Sequence, residues 1–429
     1  MRSQIRVIPY ALVGCLLWTT PAFSTPDRML GVASCAGSTC HAATRAFEGR
    51  QIRQDEYFVW QRQDRHAQAF RTLRGERARG IATRLGWGAP EQAEGCLVCH
   101  AQAADPAVHG VKFDIEEGLG CETCHGAAER WIAGHAEFKD AEQKIAQGMR
   151  ATWDAETRAK LCSGCHVADT DHPVTHAMMA AGHPPLLFEL DTFTALMPPH
   201  WNVDSDYLQR KPAPDAARNW IEGQIAAADA YLGRLEAAAG PHTAFPELSL
   251  FDCNACHHPL GAGRWQPGRT PERMPGSIPL ADQPLLLLQA ALQVMAPAQA
   301  EQAVAERARL YRQYDAGLGS LKTQARQMRR WLAAQAAPAL RKAPPTAAQL
   351  RLILRVVVKA GRSYQAGDFH YAQQAAMATK VLAAAMAERG APAPALIKAS
   401  DALYEAVKSR EQFEPAAYRR ALERVEAAL

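Results

Sequence analysis

Five times the chain sets two cysteines a few residues apart and follows the second at once with histidine: Cys35-Ala-Gly-Ser-Thr-Cys40-His41, Cys96-Leu-Val-Cys99-His100, Cys121-Glu-Thr-Cys124-His125, Cys162-Ser-Gly-Cys165-His166 and Cys253-Asn-Ala-Cys256-His257. Two thiols at this spacing reach the two vinyl groups on one edge of a porphyrin, and the histidine brings an imidazole under the iron. A lone Cys-x-x-Cys-His could also be half of a zinc site or a thioredoxin-type redox pair. Zinc would need two pairs converging on one ion, and redox thiols have no use for a histidine after every second cysteine. The pattern predicts covalent haem c at the four short motifs and a fifth haem at Cys35/Cys40. Four residues separate that first pair and must bulge for both thiols to reach the ring; a disulfide or unrelated thiols is the alternative there.

The cysteine arithmetic agrees, because the chain has 11 cysteines and the motifs account for all but Cys15. Cys15 sits in an N-terminal export pattern. Arg2 and Arg6 precede an apolar stretch from Val7 to Trp18, and Ala22-Phe23-Ser24 offers the small residues of a cleavage site. Residues 1–24 therefore read as a signal peptide, and the periplasm, where covalent haem attachment is completed, is the expected compartment. Leu12-Val13-Gly14-Cys15 offers a competing lipobox reading, with Cys15 lipidated and the protein tethered to a membrane. Against it, Leu16, Leu17 and Trp18 continue the apolar run past the supposed cleavage point. No later stretch approaches the roughly 20 apolar residues of a spanning helix.

All ten motif cysteines lie between Cys35 and Cys256. Residues 25–265 thus form a five-haem domain, 266–284 a linker rich in proline and glycine, and 285–429 a separate helical bundle. The formal charge of +4 is no basic surface, since two of the positive residues leave with the signal and five haems would add about ten propionate charges. No cluster of Lys and Arg points to nucleic acid.

Enclosing five porphyrins leaves about 45 residues for each, far fewer than a globin uses to wrap one. The haems themselves must form much of the interior. The fold class expected is mainly α: a compact, loop-rich haem domain followed by an all-α bundle. One long helix is legible from about Ala216 to Ala239, where Trp220, Ile221, Ile225, Ala228, Leu232 and Leu235 recur at three to four residues.

Between the motifs stand Trp60-Gln-Arg-Gln-Asp-Arg-His66-Ala67, Gly118-Leu-Gly-Cys121-Glu-Thr-Cys124-His125-Gly126, Leu161 to Val167 leading to His176-Ala-Met-Met-Ala-Ala-Gly-His183-Pro184, and Asp252 to Leu260. These phrases resemble the cytochrome c-552/4 family of multihaem cytochromes, over about residues 33–265. The resemblance implies a periplasmic electron carrier, with nitrogen- and sulfur-cycle enzymes among its relatives. It also implies that His66, upstream of the second motif, is a distal iron ligand. The fifth motif and the helical region depart from the best-known tetrahaem members.

Five motif histidines leave ten others in the chain, enough to give every haem a second imidazole. His176 and His183 are candidates, each for a different haem, with Gly182 and Pro184 ending the helix between them. His135, after Trp131 in an expected helix, is another. His200 and His258 compete for the fifth place. His109, His172, His242 and His370 read as structural, and Met178, Met179 and Met197 as packing rather than axial thioethers.

From Leu285 onward the pattern is helical, with breaks at Pro344-Pro345, Gly390 to Pro394 and Pro415 dividing the region into five or six helices. Between Ala348 and Ala360, Arg351, Arg355 and Lys359 make one charged stripe while Leu352, Ile353, Val356 and Val357 face elsewhere. The leading expectation is electron transfer between a respiratory donor and acceptor, with redox proteins such as a membrane quinol dehydrogenase or a terminal reductase as partners. The rival is an enzyme with one open haem acting on a small nitrogen or sulfur compound. A third reading makes the bundle a scaffold within a larger complex.

Overall fold

The structure, a computed structural model, describes residues 27–49, 52–102, 105–137, 140–237, 247–257, 278–363 and 368–429. The leader with Cys15, His242, His258 and most of the proline-rich stretch lie outside them. Among the described residues there are helices and turns but no strand, only the isolated bridges Met29 to His109 and Phe251 to Leu280. The mainly α class holds.

The motif-bearing part is built from short helices and turns, because its sequence interrupts every apolar run with Gly, Pro or a capping Asp. Glu94–His100 and Cys121–His125 are helices that contain the second and third motifs. Ala155–Ser163, capped by Asp154 through the Thr157 N–H at 2.8 Å, delivers the fourth. Its last turn widens to a π-turn over Gly164–Ala168, which re-aims His166, and Ala168 closes it with φ +67° while buried at 1% exposure. Short 3-10 turns, Val32–Ser34 and Cys253–Ala255, lie before the first motif and inside the fifth. His135 lies in a run of turns, not in the helix expected for it. Its N–H still reaches the Trp131 carbonyl at 2.9 Å.

This region holds two small apolar clusters, one around Phe70, Leu73 and Ala101 and one around Ala159, Phe188, Leu190 and Ala226. The large core is elsewhere. It is organised on the helix Ala216–Ala237, whose Trp220, Ile221, Ala228, Leu232 and Leu235 are buried together with Leu288, Leu292, Ala325, Val357, Ala375, Leu382 and Tyr418 from the later helices. Although it precedes the fifth motif in sequence, this helix shares its core with the C-terminal bundle.

The bundle runs Gln283–Met295, Pro297–Ala316, Leu318–Trp331 continuing through a π-turn to Arg341, Ala347–Ser363, Phe369–Glu388, Pro394–Ala406 and Pro415–Ala428. Gly317, with φ +121°, separates Pro297–Ala316 from Leu318–Trp331. Pro297, Pro394 and Pro415 each stand at a first helical position, where a missing N–H costs nothing. Gly390 (φ +74°) ends Phe369–Glu388, with the Ala391 N–H returning to the Met386 carbonyl at 3.0 Å. In Ala347–Ser363 the buried stripe is Leu350, Ile353, Leu354, Val357 and Val358, and Leu352 is 46% exposed rather than facing the core. At 100° per residue Leu352 falls on the flank shared with Arg355 and Lys359.

Three contacts strap the bundle to the motif region. The Arg341 guanidinium donates to both oxygens of Glu222, whose side chain is 0% exposed, and also pairs with Glu156 at 3.1 Å beside the fourth motif. Arg389 pairs with Asp215 at 2.7 Å, and the Gln374 amide donates to the Phe188 carbonyl at 2.8 Å. Arg341→Met would leave Glu222 buried with only Arg218 at 3.4 Å. It should lower stability by about 3 kcal/mol, read as a fall in the urea midpoint of the helical circular-dichroism signal.

Candidate functional site

The backbone brings the phrases between the motifs together. The Trp60 indole N–H donates to the Leu119 carbonyl at 3.0 Å, and the Leu119 N–H donates to the His66 carbonyl at 3.1 Å. The loop carrying His66 is thereby fixed against the approach to the third motif. Gly118 makes the approach possible: it has φ +69°, and a Cβ there would lie 2.7 Å from the His66 oxygen.

The first motif is tied to the third by one carboxylate. Glu122, between Cys121 and Cys124 and 2% exposed, accepts from the N–H groups of Leu30 (2.9 Å), Gly31 (2.8 Å) and Ala128 (2.7 Å). The Val32 N–H reaches Glu117 at 3.1 Å. Beside this strap Cys35 and Cys121 are electrostatic neighbours, as are Cys99 and Cys165, and the Cys165 Sγ lies 3.9 Å from the Val98 carbonyl. Motif one abuts motif three, and motif two abuts motif four. Cys124 lies within electrostatic range of Cys162 and Cys165, so motif three adjoins motif four as well as motif one.

Each motif histidine faces one histidine from elsewhere in the chain. His41 faces His135 with ring centroids 6.1 Å apart, and His66 faces His166 at 6.0 Å. His100 faces His183 at 6.5 Å, His125 faces His200 at 6.3 Å and His176 faces His257 at 6.2 Å. Metal–imidazole bonds of about 2 Å on both sides of one ion, with each centroid roughly 1 Å behind its nitrogen, put centroids about 6 Å apart. The donor set thus fits an iron between each pair. His200, one of the two candidates for the fifth place, faces His125; the other, His258, lies outside the described residues. His176 and His183 do face different motifs, because the helix His176–Ala180 ends before Gly182 (φ +106°). Arg77 and Arg84 hold the turn by donating to the Gly182 and Ala181 carbonyls at 2.8 and 2.7 Å.

Behind the rings, Nδ1 is engaged so that Nε2 is left for the opposing side. His41 Nδ1 meets Glu56 at 3.0 Å and His66 Nδ1 meets Asp64 at 2.9 Å. His100 meets the Ala69 carbonyl at 3.1 Å, His135 that of Ile132 at 2.7 Å, and His183 that of Pro184 at 2.8 Å. Hydrogen bonds to Glu56 and Asp64 hold His41 and His66 above the ordinary imidazole range. Burial does the opposite at His125, pushed down to about 3, and at His166, down to about 4, where the ring stacks 5.1 Å from Phe188. Both of these rings are neutral at ordinary pH, the form that binds a metal.

Of the histidines set aside, His109 stacks on Phe113 at 3.8 Å and His172 pairs with Asp169 at 2.9 Å. His370 lies against Cys253 together with Arg410 from the bundle, and its Nε2 is buried without a hydrogen-bond partner. A cavity between the fourth and fifth motifs is lined by His166, Phe188, Arg234, Cys253, Asp368 and His370. Met178 is buried as packing. Among the described residues no three or more His, Cys, Asp or Glu side chains converge to form a cage for one metal ion. Sequence reasoning missed Glu56, Asp64 and Glu122, although Asp64 stands two residues before His66 and Glu122 inside a motif.

Replacing Glu122 by Gln turns one acceptor oxygen into an N–H donor that faces a backbone N–H. The expected loss is about 2 kcal/mol, read by thermal denaturation. The cysteines of the first motif should also carry less covalent haem, read by intact mass.

No curated protein and no solved structure matches the chain. A family model does, that of cytochrome c554 and c-prime, over residues 34–126. The match spans the first three motifs together with His66 and stops short of the fourth and fifth, so it is narrower than the resemblance read from the sequence. That family implies covalently bound haem c and electron transfer with redox partners. Over residues 34–126 this chain is similar to the cytochrome c554 and c-prime family.

Proposed function

We propose that this protein is a periplasmic multihaem cytochrome that passes electrons between a respiratory donor and acceptor through five covalent haems. Each haem would sit between one motif histidine and one distal histidine. The observation that carries the reading is the set of five opposed imidazole pairs at 6.0 to 6.5 Å. Haem supplies one-electron exchange at iron when bound. The protein's part is to anchor each ring through Cys35/Cys40, Cys96/Cys99, Cys121/Cys124, Cys162/Cys165 and Cys253/Cys256, and to place imidazoles on both faces. His41, His100, His125, His166 and His257 would be the proximal ligands, with His135, His183, His200, His66 and His176 opposite them in that order. With an imidazole on each side, a bound iron would have no open position for another molecule. This favours a carrier over an open-haem enzyme acting on a nitrogen or sulfur compound, since every motif histidine has an opposing ring.

The contacts between motifs suggest the order one, three, four, with motif two beside motif four and motif five across the cavity from His166. His370, Arg410 and Gln374 reach this boundary from the bundle. The bundle then serves chiefly as the wall of the fourth and fifth sites. No helix among the described residues is long and apolar enough to cross a membrane, so partners such as a quinol dehydrogenase or a terminal reductase would be met at the membrane surface or in the periplasm.

Intact mass of exported protein should show five covalent haems and loss of residues 1–24, and electron paramagnetic resonance of the oxidised form only low-spin iron. His183→Ala should convert one haem, that of Cys96/Cys99, to high spin and create one carbon monoxide site per molecule. Fewer haems, or a high-spin signal in the unaltered protein, would overturn the reading.

A further inference from the structure

The ten opposed imidazoles are not backed alike. Where a backbone partner is described it is a carbonyl: Ala69 for His100, Ile132 for His135 and Pro184 for His183. Two rings are different. His41 is backed by Glu56 and His66 by Asp64, and among the described residues these are the opposed imidazoles that meet a carboxylate. The two carboxylates are 14% and 10% exposed, so solvent screens them weakly and their charge acts at nearly full strength on the ring. Both are also held rigidly. Glu56 accepts from the Arg53 N–H at 2.8 Å, and Asp64 from the His66 N–H at 3.0 Å. The nearby Arg53 guanidinium is occupied by Asp55 at 3.0 Å rather than by Glu56.

An imidazole that donates its Nδ1 proton to a carboxylate is a more basic ligand than one that donates to a carbonyl. A more basic ligand, with a negative charge behind it, stabilises ferric over ferrous iron, and hydrogen bonding behind the axial ligand is a recognised lever on haem potential. We propose that Glu56 and Asp64 are positioning residues that set two of the five haems, those of the first and fourth motifs, at lower potential than the other three. The inference rests on the bis-histidine reading above. Its consequence follows from the neighbour relations. Motif three adjoins both one and four, and two abuts four, so low and higher potentials alternate along the path. At partial reduction electrons reside at the second, third and fifth motifs, while the first and fourth are crossed rather than filled. Each step is a one-electron exchange between neighbouring irons, one oxidised as the other is reduced, with no bond made or broken.

The test is potentiometry of the full-length, haem-loaded protein followed by electron paramagnetic resonance, on the unaltered chain and on Glu56→Gln and Asp64→Asn. The unaltered protein should reduce two of its haems last. Glu56→Gln should raise one of these and Asp64→Asn the other, each by at least tenfold in its electron-exchange equilibrium with the remaining haems, about 59 mV for one electron. Asp64→Glu, which keeps the carboxylate, should preserve the low potential. Five low-spin haems without two low-potential members would overturn the proposal, as would variants that retain all haems at unchanged potentials. If a substitution prevents haem attachment, the unaltered protein decides through the presence or absence of its two late-reducing centres. Failure of the underlying reading would look different, as high-spin iron or fewer than five haems before any potential is measured.

Discussion

Two imidazoles held opposite each other with centroids about 6 Å apart, repeated five times, form the constraint around which the first half of this molecule is arranged. Such a gap is wasteful in a polypeptide interior, since neither ring packs against the other and each is taken from water. It becomes economical only if something fills it. The apolar clusters of this region are small, and the geometry is kept instead by directed hydrogen bonds: Glu122 on three backbone N–H groups, Trp60 on the Leu119 carbonyl, and an acceptor behind the Nδ1 of half the opposed rings. A porphyrin at each pair would supply the interior that the side chains lack, in keeping with the haem c that the family implies.

The second half is organised by the opposite principle. The helix Ala216–Ala237 is buried on nearly every side and collects the apolar faces of the bundle around it. Its polar residues are satisfied across the boundary: Glu222 by Arg341, and Asn219 by Arg158 and Asp191. Arg158 and Glu156 belong to the helix that delivers the fourth motif. A conventional hydrophobic core therefore positions one side of a region that has little core of its own, and the fourth and fifth motifs inherit that rigidity.

Much of this was legible in advance, for reasons that differ by residue. The motif cysteines and histidines are adjacent in sequence, so their chemistry is local. The long helix announced itself by the spacing of Trp220, Ile225, Leu232 and Leu235, and the bundle's breaks by Gly390, Pro394 and Pro415, which act on their own backbone. His66, His135, His176, His183 and His200 were recognisable as candidates, because imidazole is the expected partner where haems are dense. Which motif each would face was not, because those pairings join residues as far apart as His66 and His166. Leu352 shows the same limit on a smaller scale: a helical pattern gives a period but not its phase against neighbours.

The residues alone determined the cofactor chemistry and the predominance of helix, since both depend on atoms within a few positions of one another. Only the tertiary structure decided that His200 opposes His125, that the helix before the fifth motif belongs to the later core, and that carboxylates stand behind His41 and His66. Each of these is a meeting of distant segments, fixed by where backbone N–H groups and buried charges find partners. Such partners are chosen by the packing of the whole chain, and no local spacing encodes them.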